Sequence, residues 1–86
     1  MSAGWKVAMT KFVIDAYAWI EYLNGSEKGN KFGEILEDNS NEIFTAASTT
    51  AEVISKFLRA NKDIKIALTA INSMSIPVNI TQDIGS

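Results

Sequence analysis

Two acidic residues stand where carboxylates can do chemistry. Asp15 ends a strand-like run, Lys11-Phe12-Val13-Ile14-Asp15, and Glu52 opens a helix-like run, Thr49-Thr50-Ala51-Glu52-Val53. Brought together at one end of a sheet, two carboxylates make an oxygen site for a hard cation such as magnesium. The rest of the composition narrows the choice. The chain has no histidine and no cysteine. That removes the usual general base, the Ser-His and Cys-His nucleophile pairs and the ordinary zinc ligands. Any chemistry must rest on carboxylates, hydroxyls, lysines and backbone. An acidic pair with nothing else catalytic around it points to metal-assisted phosphodiester chemistry.

The elements that must position this pair belong to one small domain. At 86 residues with 47% hydrophobic content, the chain has enough apolar material for a core, and no low-complexity tract suggests disorder. The absence of cysteine fits a reducing compartment. Net charge is −2, and the lysines are scattered, so composition gives no support to a basic nucleic-acid face. No apolar run is long enough to span a bilayer. Met1 to Met9 has no apolar stretch of the secretory kind. The strand pattern begins abruptly after it, so residues 1–10 read as a flexible extension, with Met9 as the natural start, and 11–86 as the folded part.

Phe12-Val13-Ile14 is a short run of strand formers suited to a parallel sheet. Ala16 to Leu23 reads as a helix with Ala16, Trp19, Ile20 and Leu23 on one face, stopped by Asn24-Gly25-Ser26. A second helix is expected over Glu27 to Asp38, weakened by Gly29 and Gly33. Ile43 to Ala46 is the second strand and Thr49 to Ala60 the third helix. Asp63 caps a fourth helix carrying Ile64, Ala67, Leu68, Ile71 and Met74. Ile76 to Ile80 is a third strand with Pro77 at its start, and Thr81 to Ile84 reads as one further helical turn. Strands alternating with helices predict an α/β fold around a parallel sheet, in which ligands sit beyond the carboxyl ends of the strands. Asp15 occupies that end of the first strand. Glu52 follows the second strand, in the expected first turn of the next helix.

The segment Phe12-Val13-Ile14-Asp15-Ala16-Tyr17-Ala18-Trp19-Ile20-Glu21-Tyr22-Leu23 resembles the opening of a PIN domain, and Thr49-Thr50-Ala51-Glu52-Val53 resembles the second acidic motif of that family. The likeness runs from Lys11 onward and is strongest to the VapC toxin ribonucleases of VapBC toxin–antitoxin pairs. It implies a three-layer α/β/α fold with a parallel sheet, of which this chain would hold three strands and four helices. It also implies a magnesium- or manganese-dependent endoribonuclease of the cytoplasm. Asp15 would be a direct metal ligand and Glu52 a second one, direct or through water. The implied partners are RNA, a VapB-like antitoxin and a second copy of the chain, without a membrane.

The departures are specific. The family's later acidic ligands have no counterpart here, and Asp83 matches none of them. Ala16 replaces the Ser or Thr that many members carry after the first Asp. The chain reads as the N-terminal part of a PIN-like domain with an incomplete site, expected to cleave RNA poorly by itself. It is also expected to self-associate through the exposed edge of its first strand.

Structural readings stand beside these. Asp15 is a good N-cap for the following helix. Thr49-x-x-Glu52 is a capping box, which needs no function at all. An inactive PIN-like remnant, or an interaction module whose acidic residues only cap helices, therefore remains the alternative. Glu21, Glu34, Glu37 and Asp38 read as solvated helix positions. Trp19, Tyr22 and Phe57 read as core or interface aromatics, and Trp5 lies outside the fold pattern.

Overall fold

The computed structural model describes residues 10–79. Its elements run β1 (Thr10–Val13), α1 (Ala16–Asn24), α2 (Glu27–Leu36), β2 (Asn41–Ala46), α3 (Ala47–Arg59), α4 (Ile64–Met74) and β3 (Ile76–Val78). The expected α/β fold is present, with a three-stranded parallel sheet in the order β1-β2-β3. Thr10, assigned to the extension on sequence grounds, is the first residue of β1. The readings placed on Trp5, Met9, Ile80, Asp83 and the turn over 81–84 lie outside the described residues.

Each helix ends for a local reason. Asp15, in extended backbone, caps α1 by accepting from the Ala18 amide. Gly25 takes the left-handed conformation at φ 74°. The Gly25 amide then donates to the Tyr22 carbonyl and the Ser26 amide to the Glu21 carbonyl, the paired bonds of a Schellman stop. Ser26 caps α2 through the Gly29 amide at 2.9 Å. The same stop recurs after α3, with Asn61 at φ 58° in the glycine's place. There Asn61 donates to Leu58 and Lys62 to Phe57. Asn is the non-glycine residue that tolerates this region best. Asp63 caps α4 through the Lys65 amide, as its position suggested.

Several boundaries differ from the sequence reading: β2 begins at Asn41 rather than Ile43, and β3 ends at Val78. The second helix ends at Leu36 rather than Asp38. Asp38 instead accepts from both the amide and the hydroxyl of Ser40, a side-chain turn that competes with helix continuation. These two bonds hold its carboxyl below the ordinary range. The third helix begins at Ala47, two residues before Thr49.

Gly29 and Gly33, which argued against a helix, explain how α2 packs. They lie one turn apart on the face turned to α1. A Cβ on Gly29 would overlap the Glu21 backbone carbonyl, and one on Gly33 would press the Tyr22 ring.

The sheet order fixes where the core sits. Each crossover moves the chain one strand in the same direction, and right-handed crossovers then put all four helices on one face. The core joins Ile14 and Ile43 from the sheet side to Trp19 of α1, Leu36 of α2, Val53 and Phe57 of α3, and Ala67 and Ile71 of α4. Among the described residues the molecule thus shows two layers, sheet and helices.

Candidate functional site

Asp15 lies two residues beyond β1, at the carboxyl end of the sheet. It is exposed, and its cap uses one carboxylate oxygen, Oδ1, at 2.9 Å from the Ala18 amide. The ψ of 172° that makes Asp15 a cap turns the chain from strand into helix at that point. Capping and cation binding are compatible in principle, because a carboxylate has two oxygens and about four acceptor directions.

Glu52 is placed differently from the sequence expectation. The N-cap of α3 is Ala46, with no side-chain cap bond. Thr49 is therefore already inside the helix, and Glu52 sits in the second turn. The capping box read from Thr49-x-x-Glu52 does not form. It fails because β2 runs into α3 without a loop, so the helix starts before the Thr can act as its cap. Among the described residues, the hydroxyl near this end that reaches a backbone group is Thr50, donating to the Ala46 carbonyl at 3.5 Å. Glu52 is exposed and belongs, like Asp15, to the helix that leaves the carboxyl end of its strand.

A buried polar chain that the sequence did not reveal joins α1 to β2 and to the end of α4. The Trp19 indole donates to Thr45 Oγ1 at 3.0 Å, the Thr45 hydroxyl donates to Ser75 Oγ at 2.8 Å, and the Ser75 hydroxyl donates to the Ile71 carbonyl at 2.6 Å. Trp19 and Thr45 are 0% exposed, so each bond is shielded from water. Trp19 stands one turn after Asp15, and Thr45 is the penultimate residue of β2. The chain thus fixes the start of α1 against the strand that leads to Glu52, and it reaches the α4–β3 junction at Ser75. A buried indole N–H requires an acceptor. A threonine within the apolar part of the strand, Ile43 to Ala46, was the available clue to which one.

Glu21 and Glu37 have structural partners. Glu21 accepts from the Ser26 hydroxyl. Glu37 accepts from the Tyr22 hydroxyl at 3.0 Å. Burial, and then the hydrogen bond and charge of Glu37, push the Tyr22 hydroxyl above its ordinary pKa. Close to Asp15 in sequence, half-exposed Tyr17 bonds Lys28 Nζ at 3.2 Å and meets Phe32 edge-on.

A cavity of about 500 Å³ lies elsewhere. It opens between the end of α2 and the beginnings of β2 and β3, lined by Leu36, Ile43 and Met74 and by the acids Glu37, Asp38 and Glu42. That is the amino end of the sheet, opposite Asp15. The acidic pair therefore does not share this cavity.

The donor set at the carboxyl end suits a hard cation in kind, since it is all oxygen. It is small in number. No group of three or more acidic residues that could hold a metal ion occurs among the described residues. Magnesium retains several waters and tolerates few protein ligands, so two carboxylates would hold it only loosely. No helix among the described residues is long and apolar enough to cross a membrane. No protein-family model matches the chain, and no curated protein and no solved structure matches it.

Proposed function

We propose that the chain carries the first part of a PIN-like, VapC-type endoribonuclease site, with Asp15 and Glu52 as ligands for Mg2+ or Mn2+. The observation that carries this reading is the common placement of two exposed carboxylates on the helices leaving the carboxyl ends of adjacent parallel strands. In open α/β sheets that end is where ligands bind. The failed capping box adds weight, because Glu52 has no structural task in its helix start. When bound, the metal would lower the pKa of a water and offset charge on a phosphodiester. The residues of this chain hold the ion and set its place relative to the sheet. RNA, a VapB-like antitoxin and a second copy of the chain are the partners of this reading, and the cytoplasm its compartment.

The second reading is an inactive PIN-like remnant or interaction module. It is favoured by the Asp15 cap, which is complete without a metal. Paired variants separate the two. Asn is as good an N-cap as Asp, so Asp15→Asn should fold with nearly unchanged stability, whereas Asp15→Ala should lose about 1 kcal/mol. Both should weaken Mn2+ binding, followed by paramagnetic broadening of the amide signals around residues 15 and 52. Glu52→Gln should do the same at no cost in stability, and Thr49→Ala should change neither. Broadening that ignores Asp15→Asn and Glu52→Gln would rule out the metal site and leave the interaction module.

A further inference from the structure

Tyr17 takes no part in the core. It is 50% exposed and neither forms nor flanks the hydrophobic cluster, unlike Trp19 and Tyr22 on the same helix. Its ring is nevertheless fixed in direction. Phe32 of α2 meets it edge-on, with ring centroids 6.4 Å apart. Lys28 Nζ donates to its hydroxyl at 3.2 Å and stands 5.8 Å from the ring centroid. A ring so oriented, with half its surface open, offers a π-face to a ligand. Lys28 is exposed as well, and its bond goes to a neutral hydroxyl. Glu21 is the carboxylate whose charge reaches it, but Glu21 accepts from Ser26 instead. The lysine charge is therefore open to an anion. Tyr17 follows Asp15 by two backbone steps of about 3.8 Å each. Side chains on a helix lean toward its N-terminus, which in α1 is the Asp15 end. The third layer of a three-layer fold would lie on the opposite face of the sheet, whereas α1 and α2 belong to the layer on this one.

We propose that Tyr17 and Lys28 are the RNA-positioning contact of the acidic site: an unpaired base stacks on the Tyr17 ring, and the Lys28 ammonium meets the phosphate of that nucleotide. The two side chains answer different parts of one nucleotide. Stacking on an aromatic ring suits any base, because every base has a π-face. An ammonium is a point charge that suits a phosphate. The pair selects a single strand, since the bases of a duplex are stacked on one another and an unstacked base is needed to meet the ring. Its place selects the nucleotide. Charges along one strand recur about every 3.4 Å, so a base on Tyr17 lies within about two or three nucleotides of a phosphate held at Asp15. That placement rests on the reading of Asp15 and Glu52 as metal ligands. The contact with RNA itself can be measured without a metal.

NMR titration of the 86-residue chain with a short single-stranded oligoadenylate, in EDTA, tests this. Amide signals around residues 15–18 and 28–32 should shift, and the Tyr17 ring protons should move upfield under the ring current of a stacked base. Tyr17→Ala should weaken binding by about tenfold, as loss of one stacked base does, whereas Tyr17→Phe keeps the ring and should bind nearly as the wild type does. A ribose-phosphate oligomer without bases should bind the wild type and Tyr17→Ala alike. Lys28→Gln should make the logarithmic salt dependence shallower by about 0.7, the share of one phosphate on a single strand, and Lys28→Arg should preserve it. Circular dichroism reports folding, and Tyr17→Leu replaces Tyr17→Ala if that variant does not fold. Paramagnetic broadening by Mn2+ keeps this proposal apart from the metal site. Tyr17-dependent binding in EDTA, together with broadening that ignores Asp15→Asn, rejects the metal site and upholds the RNA contact. Mn2+ held at Asp15, together with RNA binding indifferent to Tyr17→Ala, upholds the metal site and overturns the contact. A chain that binds no RNA in EDTA, or binds it without moving the Tyr17 ring protons, overturns the contact as well.

Discussion

At the scale of single residues, the polar chain from Trp19 through Thr45 to Ser75 holds α1 to β2 and to the α4–β3 junction. Each hydroxyl accepts one bond and donates one, so removing the middle link leaves the buried Trp19 N–H unpaired and takes from Ser75 Oγ the bond it accepts. Thr45→Val keeps the shape and removes the hydroxyl. It should lower stability by about 1–3 kcal/mol, the usual cost of an unsatisfied buried polar group. Urea unfolding measures the loss, and Thr45→Ser should recover part of it. A neutral Thr45→Val would mean that the chain does not hold α1 to β2. Tyr22 offers a pH-dependent test. Its folded pKa is raised above 10.0, so the stabilisation it contributes is present below the unfolded value and is lost as pH rises through the folded one. Glu37→Gln removes one of the causes. In a Tyr17→Phe background, absorbance titration should then show Tyr22 ionising at lower pH, though still above the ordinary value because burial persists.

Among the elements, α2 shows how a residue that weakens a helix in isolation can be required by its packing. Glycine costs about 1 kcal/mol against alanine within a helix, so Gly29→Ala would stabilise α2 alone. In the fold, the added methyl would meet the Glu21 carbonyl, which is backbone and cannot turn away. Gly29→Ala should therefore destabilise the protein by about 1–3 kcal/mol, as overpacking does. Gly33→Ala meets the Tyr22 ring, a side chain able to move, and should be milder. Melting temperatures of the two variants check the order. The reverse ranking would show that α1 and α2 are not this close. The start of α3 carries the complementary lesson. Thr49 and Glu52 have capping-box spacing, yet the helix is entered directly from β2 at Ala47, and the spacing has nothing to cap.

For the whole molecule, the acidic pair and the cavity lie at opposite ends of the sheet. The cavity's own carboxylates, Glu37, Asp38 and Glu42, would repel a phosphate backbone, so RNA has no welcoming concave surface there. At the other end, two carboxylates cannot position substrate phosphate and water together, and positioning is most of what such a site contributes. Metal-dependent RNA cleavage by the 86-residue chain is expected to be weak. Fast cleavage that EDTA stops and Asp15→Ala abolishes would show that the site is more complete than the described residues provide.

The sequence by itself determined the order of elements, because each is written locally. The short run Ile43-Phe44-Thr45 marks β2, the apolar stripe of Ile64, Ala67 and Ile71 marks α4, and Gly25 and Asp63 mark a stop and a start through their own backbone and side-chain preferences. It also placed Asp15 between the first strand and the first helix, as a good N-cap candidate, since that follows from neighbours within three residues. Only the tertiary structure decided what depends on distant partners. Thr45 meets Trp19 across 26 positions and Ser75 across 30, and nothing in the local pattern of either residue names the other. The glycines of α2 read as breakers until α1 is laid against them. The placement of all four described helices on one face of the sheet follows from the strand order, which sets the side for both crossovers and which no single segment encodes.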